Sequence, residues 1–143
     1  MKDIMLKIIG KQILNDSGEE ERMEFVTEGR YDVRDGSVYL SYDESDFSGM
    51  EGCVTSLVIT GDRVEMIRTG EGYIGETEME FEKGKRFKSH YETPFGSVEM
   101  EVLTNEVINN LHESEPKGSL AIDYHVSLRG LSEGRSLLNI EIM

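Results

Sequence analysis

Residues 23–44 read MEFVTEGRYDVRDGSVYLSYDE, and this stretch decides the fold. Met23, Phe25, Thr27, Gly29 and Tyr31 alternate with charged residues, the period of a strand with one buried face. Asp35-Gly36 follows, the pair best suited to a two-residue hairpin turn. That turn sets Val33 opposite Val38, Tyr31 opposite Leu40, Gly29 opposite Tyr42 and Thr27 opposite Glu44. Apolar then meets apolar, and a glycine leaves room for a tyrosine ring.

The same alternation recurs in Val98-Met100-Val102-Thr104 and in Leu120-Ile122-Tyr124-Val126-Leu128. Strands are predicted over 3–14, 22–33, 37–44, 53–60, 63–69, 74–82, 86–93, 97–105, 119–129 and 136–142, with glycine-centred turns between them. Asn105 to Leu111 reads either as more strand or as a helical turn. One domain over residues 1–143 follows, all-β, a single closed antiparallel meander β-barrel of about 8–10 strands. Gly61-Asp62 as a two-residue turn sets Ile59 against Val64, Leu57 against Met66 and Thr55 against Arg68. Around Phe95-Gly96, Thr93 meets Val98 and Tyr91 meets Met100. At Lys83-Gly84 a two-residue turn would mix the faces, so a bulge is expected, pairing Phe81 with Phe87, Glu80 with Lys88 and Glu82 with Arg86. Glu76, Glu78, Glu80 and Glu82 then form a solvated outer stripe.

Charge narrows the partners. With 29 acidic and 15 basic residues the net charge is −14, which repels phosphate backbones and anionic head groups, so neither nucleic acid nor a membrane surface is expected. Cys53 is the lone cysteine, so no intramolecular disulfide can form. Met1-Lys2-Asp3 leads into a strand pattern, and no apolar run approaches the roughly 20 residues of a membrane helix. A cytoplasmic protein is expected.

Several polar residues fall in phase with the apolar face: Gln12, Thr27, Tyr42, Glu44, Thr55, Arg68, Thr77, Tyr91, Thr93, Thr104 and Tyr124. If the connections 45–52 and 69–76 close symmetrically, Glu44 opposes Thr55 and Arg68 opposes Thr77, which meets Tyr91. One level of the barrel then reads Thr27, Glu44, Thr55, Arg68, Thr77, Tyr91. Glu44 and Arg68 would lie two strands apart, about 9–10 Å between backbones, a gap an arginine spans. Pairing is close to obligatory if both point inward.

Motifs of chemistry fail on context. Gly70-Glu71-Gly72-Tyr73-Ile74-Gly75 matches a dinucleotide fingerprint, but a strand pattern follows where a helix N-terminus is needed. Gly130-Leu131-Ser132-Glu133-Gly134 matches a hydrolase elbow, yet no aspartate or histidine follows Ser132. His90, His112 and His125 have no metal-binding spacing, and Asp43-Glu44-Ser45-Asp46 lacks the glycine and distal glutamate of a calcium loop. No cofactor and no metal are expected.

Thr27-Glu28-Gly29, Tyr42-Asp43-Glu44-Ser45, Arg68-Thr69-Gly70 and Tyr91-Glu92-Thr93-Pro94-Phe95-Gly96, followed by Thr104, resemble the DUF1934 family of small bacterial proteins. The resemblance spans nearly the whole chain. It implies a calycin-like barrel, the architecture of lipocalins and fatty-acid-binding proteins, in a bacterial cytosolic protein. Lipocalins carry G-x-W near the first strand, whereas this chain has no tryptophan, so lipid carriage does not follow from the likeness.

Two functions compete. One is a binding module holding a small polar, anionic or amphipathic ligand in the barrel around Arg68, Glu44, Thr27, Tyr42, Thr55, Tyr91 and Tyr124. The other is an interaction protein with a filled core, acting through its outer surface or as a homodimer. An enzyme is the weakest reading, because a carboxylate beside a guanidinium is favoured as the anion, the wrong direction for a general acid.

Overall fold

The computed structural model describes residues 2–14, 18–44, 53–70, 76–93, 96–112, 114–128 and 132–143. Ten strands run in chain order: β1 (Lys2–Leu14), β2 (Glu20–Arg34), β3 (Ser37–Asp43), β4 (Val54–Thr60), β5 (Arg63–Thr69), β6 (Glu76–Glu82), β7 (Arg86–Thr93), β8 (Gly96–Asn109), β9 (Gly118–Leu128) and β10 (Ser132–Ile142). They form one antiparallel sheet in the order β6-β5-β4-β3-β2-β1-β10-β9-β8-β7. Every pairing joins neighbours in sequence except β1 with β10, which bends the meander round into a nearly closed barrel.

The hairpin registers read from the first two turns hold. Asp35 and Gly36 both take positive φ, 50° and 80°, as a type I′ turn requires, and Val33 pairs Val38, Tyr31 pairs Leu40 and Gly29 pairs Tyr42. Beyond Gly61, Ile59 pairs Val64, Leu57 pairs Met66 and Thr55 pairs Arg68. Two other registers slip by two residues. Thr93 pairs Gly96 and Tyr91 pairs Val98, so Pro94 and Phe95, outside the described residues, are the two between the strands. Tyr42 rather than Glu44 pairs Thr55. A slip of two keeps every side chain on its own face, so the core is unchanged.

The bulged hairpin expected at Lys83-Gly84 is replaced by the barrel's seam. β6 and β7 are the two ends of the sheet and share no ladder. Instead the Gly84 N–H donates to the Thr104 carbonyl at 2.9 Å, and the Thr104 N–H donates to Lys85 O at 3.3 Å. The bulge lies in β8, where Asn105 is left without a cross-strand partner between Thr104 and Glu106. It lets β8 continue to Asn109, so the ambiguous segment is mostly strand, and Asn109 Nδ2 reaches Gly61 O at 2.8 Å across the seam.

The middle of the barrel is filled. Leu6, Ile8, Leu40, Leu57, Ile59, Met66, Phe81, Met100, Leu120, Ile122 and Ile140 are buried in one cluster with Phe25 and Met79. The buried Glu44 and Thr55 lie toward the end from which the chain leaves β1, β3, β5, β7 and β9, while the buried Tyr31, toward the other end, donates its hydroxyl to His112 O.

Candidate functional site

Glu44 follows the last residue of β3, and its N–H donates to Cys53 O at 2.9 Å, which draws the strand end against the start of β4. Its carboxylate lies inside, with a side chain only 2% exposed. Thr55, fully buried on β4, donates its hydroxyl to Glu44 Oε1 at 2.6 Å. Arg68 on β5 donates Nε to Thr55 Oγ1 at 3.2 Å and stands 3.6 Å from Glu44 Oε1. One hydroxyl therefore joins acid and base, and the pair expected from phase alone is formed.

Tyr42 is buried beside them. Burial first, and then the charge of Glu44, push its phenol well above the usual tyrosine range, while Arg68 and the hydrogen-bonded side chains of Thr55 and Arg68 pull the other way. Tyr124, on β9, has its phenol raised by burial, against smaller opposing effects of the Arg68 charge and a hydrogen bond with Ser136. Its ring packs on Phe81 with centroids 4.7 Å apart.

The level expected to read Thr27, Glu44, Thr55, Arg68, Thr77, Tyr91 is partly redrawn. By backbone register it runs Gly29, Tyr42, Thr55, Arg68, Thr77, with Glu44 one inward position beyond and bending back to Thr55. Thr27 stands apart from the acid–base pair and donates Oγ1 to Asp43 O at 3.0 Å. The side chains of Thr77 and Tyr91 lie outside the described residues, and β7 does not pair with β6, so no backbone register joins Tyr91 to Thr77.

A cleft of about 550 Å³ opens at this end, lined by residues that include Gln12, Glu21, Met23, Arg68, Tyr124, Ser136 and Leu138. Gln12, Ser136, Tyr124 and Thr104 are successive cross-strand partners on β1, β10, β9 and β8. Ser136 is the lining residue that pattern reading passed over, although it falls two positions before Leu138 in the inward phase of β10. Glu44, Tyr42 and Thr55 are packed behind Arg68 and do not line the cleft.

The comparisons with known proteins match this architecture. The model of the family described as "Domain of unknown function (DUF1934)" matches residues 7–140. The chain belongs to the DUF1934 family. Within DUF1934 it is similar to "Uncharacterized beta-barrel protein YwiB" of Bacillus subtilis (strain 168), with 30% identity over 117 residues, covering 81% of this chain and 78% of that protein. It is likewise similar to the crystal structure of the ywiB protein from Bacillus subtilis, with a TM-score of 0.73 and 25% identity over 99% of this chain and 93% of that one. The DUF1934 chain has no helix among its described residues long and apolar enough to cross a membrane.

Proposed function

We propose that this protein is a non-enzymatic binding module that holds a small polar or amphipathic ligand, through an anionic group, at the open end of the barrel. The observation that carries the reading is the unequal exposure of one ion pair. Glu44 is 2% exposed, while Arg68 is 22% exposed and borders the cleft. Glu44 and Thr55 hold the Nε edge of the guanidinium, so it meets an incoming anion already oriented. Tyr124, Gln12 and Ser136 supply hydrogen-bonding groups on the opposite wall, and Met23 and Leu138 supply apolar surface for an amphipathic ligand.

Native mass spectrometry of the protein purified from its own host tests this. Arg68→Met alone would strand the buried Glu44 carboxylate, so the variant is Arg68→Met with Glu44→Gln. A small added mass is expected on the wild type and absent from the double variant. A wild type with no added mass, and no rise in melting temperature with inorganic phosphate or short carboxylates, would remove the binding reading.

The filled centre supports the interaction reading as an alternative, because Phe25, Phe81, Met66, Met79 and Met100 leave the interior for packing.

A further inference from the structure

The outer wall carries a row of five cross-strand partners with an unusual order of charge. Arg22 on β2 pairs Lys11 on β1, Lys11 pairs Leu137 on β10, Leu137 pairs Asp123 on β9, and Asp123 pairs Glu106 on β8. The row reads two bases, one leucine, two acids. Beside it lies a shallow recess of about 380 Å³, lined chiefly by apolar surface from Ile9, Ile108, Ala121 and Leu137. Ile108 there is 51% exposed.

We infer that this wall is an isologous interface with a second copy of the same chain. A two-fold axis running along β10 through Leu137, in the plane of the contact, keeps height along the strands and exchanges left for right. It lays β1 and β2 of one copy over β9 and β8 of the other. Lys11 then faces Asp123 of the second copy, Arg22 faces its Glu106, Ile9 faces its Ala121, and the two Leu137 side chains meet on the axis. The four charged positions form four complementary pairs across the dimer, and a surface with this antisymmetry is complementary to itself. The barrel wall curves away on both sides of β10, so the two Leu137 side chains meet at the centre, flanked on the axis by Arg135 and Asn139, while Ile108 falls opposite Glu24 and the longer charged side chains bridge the widening rim. Each charge now leans on a neighbour of its own chain: Lys11 on Glu20 at 2.8 Å, Arg22 on Glu24 at 3.4 Å, Glu106 on Lys83 at 3.2 Å and Asp123 on Arg135 at 2.5 Å. The pairs of Lys11, Arg22 and Glu106 are single surface contacts, each worth roughly 1 kcal/mol or less and readily exchanged, whereas Asp123 is held by both Nε and Nη2 of Arg135 and would share that guanidinium with Lys11. The five strands span about 19 Å, the width of a small, concentration-dependent contact.

Sedimentation velocity tests the inference on four full-length proteins. The wild type is expected to dimerise as concentration rises. Leu137→Glu places like charges on the axis and is expected to stay monomeric with unchanged far-ultraviolet circular dichroism. One charge variant carries Lys11→Glu and Arg22→Glu, the other Glu106→Lys and Asp123→Lys. Each alone repels its own copies and is expected to be monomeric, while an equimolar mixture regains the dimer, because both sets of contacts are then complementary. A wild type still monomeric at about 1 mM overturns the inference. So does a dimer that survives Leu137→Glu, and so does a mixture of the two folded charge variants that stays monomeric.

Discussion

Two buried threonines face opposite fates in this barrel. Thr55 spends its hydroxyl twice, donating to Glu44 and accepting from Arg68. Thr104 is as deeply buried, and its Oγ1 has no hydrogen-bond partner among the described residues. Replacing each with valine keeps the shape and removes one hydroxyl. Thr55→Val leaves a buried carboxylate oxygen short of a donor and is expected to cost about 1–3 kcal/mol. Thr104→Val removes an unsatisfied group and is expected to leave stability level or raised. Urea unfolding midpoints check both, and equal losses would contradict the hydrogen bonding described. At this scale much of the site was legible: Tyr42, Glu44, Thr55 and Arg68 were found by phase, since a period of two forces them inward. Their reach was not. That Thr27 turns to the Asp43 carbonyl, and that Ser136 serves Tyr124, depends on side-chain torsions that alternation does not encode.

Among the elements, the turns at Asp35-Gly36 and Gly61-Asp62 transmitted register faithfully, whereas the two-residue connection between β7 and β8 and the longer one between β3 and β4 did not. Asp35-Gly36 and Gly61-Asp62 leave little freedom, so the partners from Gly29–Tyr42 to the turn in β2–β3 and those across β4–β5 followed from them, while the expected Thr27–Glu44 step lies beyond the β2–β3 ladder. Between β3 and β4 the chain has length to spare, and symmetry is only one of its options. The seam was illegible for another reason: whether β6 pairs β7 depends on how far the whole sheet curls, which no local pattern records. Gly29 shows what close register demands. A Cβ there would lie 2.7 Å from both Leu6 Cδ1 and the Ser41 carbonyl oxygen, and the latter is backbone that cannot swing aside. Gly29→Ala is therefore expected to lose about 2–3 kcal/mol by overpacking, and Gly36→Ala, in open space at φ 80°, about 1 kcal/mol from the turn. Melting curves that rank the two the other way would contradict the close approach of β1 to β3 through Gly29.

For the molecule as a whole, pH exposes the buried phenols. Tyr42 and Tyr124 are both held neutral above the ordinary tyrosine range, so the folded chain releases these protons later than the unfolded chain does. Their contribution is complete below about pH 10 and is lost as pH climbs beyond it, because only the unfolded chain gains ionised tyrosine. The net charge of −14 adds repulsion in the same direction. The melting temperature is expected to fall steeply above about pH 10 and less steeply for Tyr42→Phe. Identical slopes for the two proteins would show that the Tyr42 hydroxyl is not shielded. The pairing of β1 with β10 has a further, kinetic consequence. Leu6 lies opposite Ile142, so this ladder ties the first strand to the last, while every other ladder joins neighbours along the chain. Hairpins can zip locally, but the circle closes only after nearly the full polypeptide has searched for its own beginning. The meeting of the two ends is thus the step expected to be slow in folding, since without β10 the first strand lacks the partner that closes the ring.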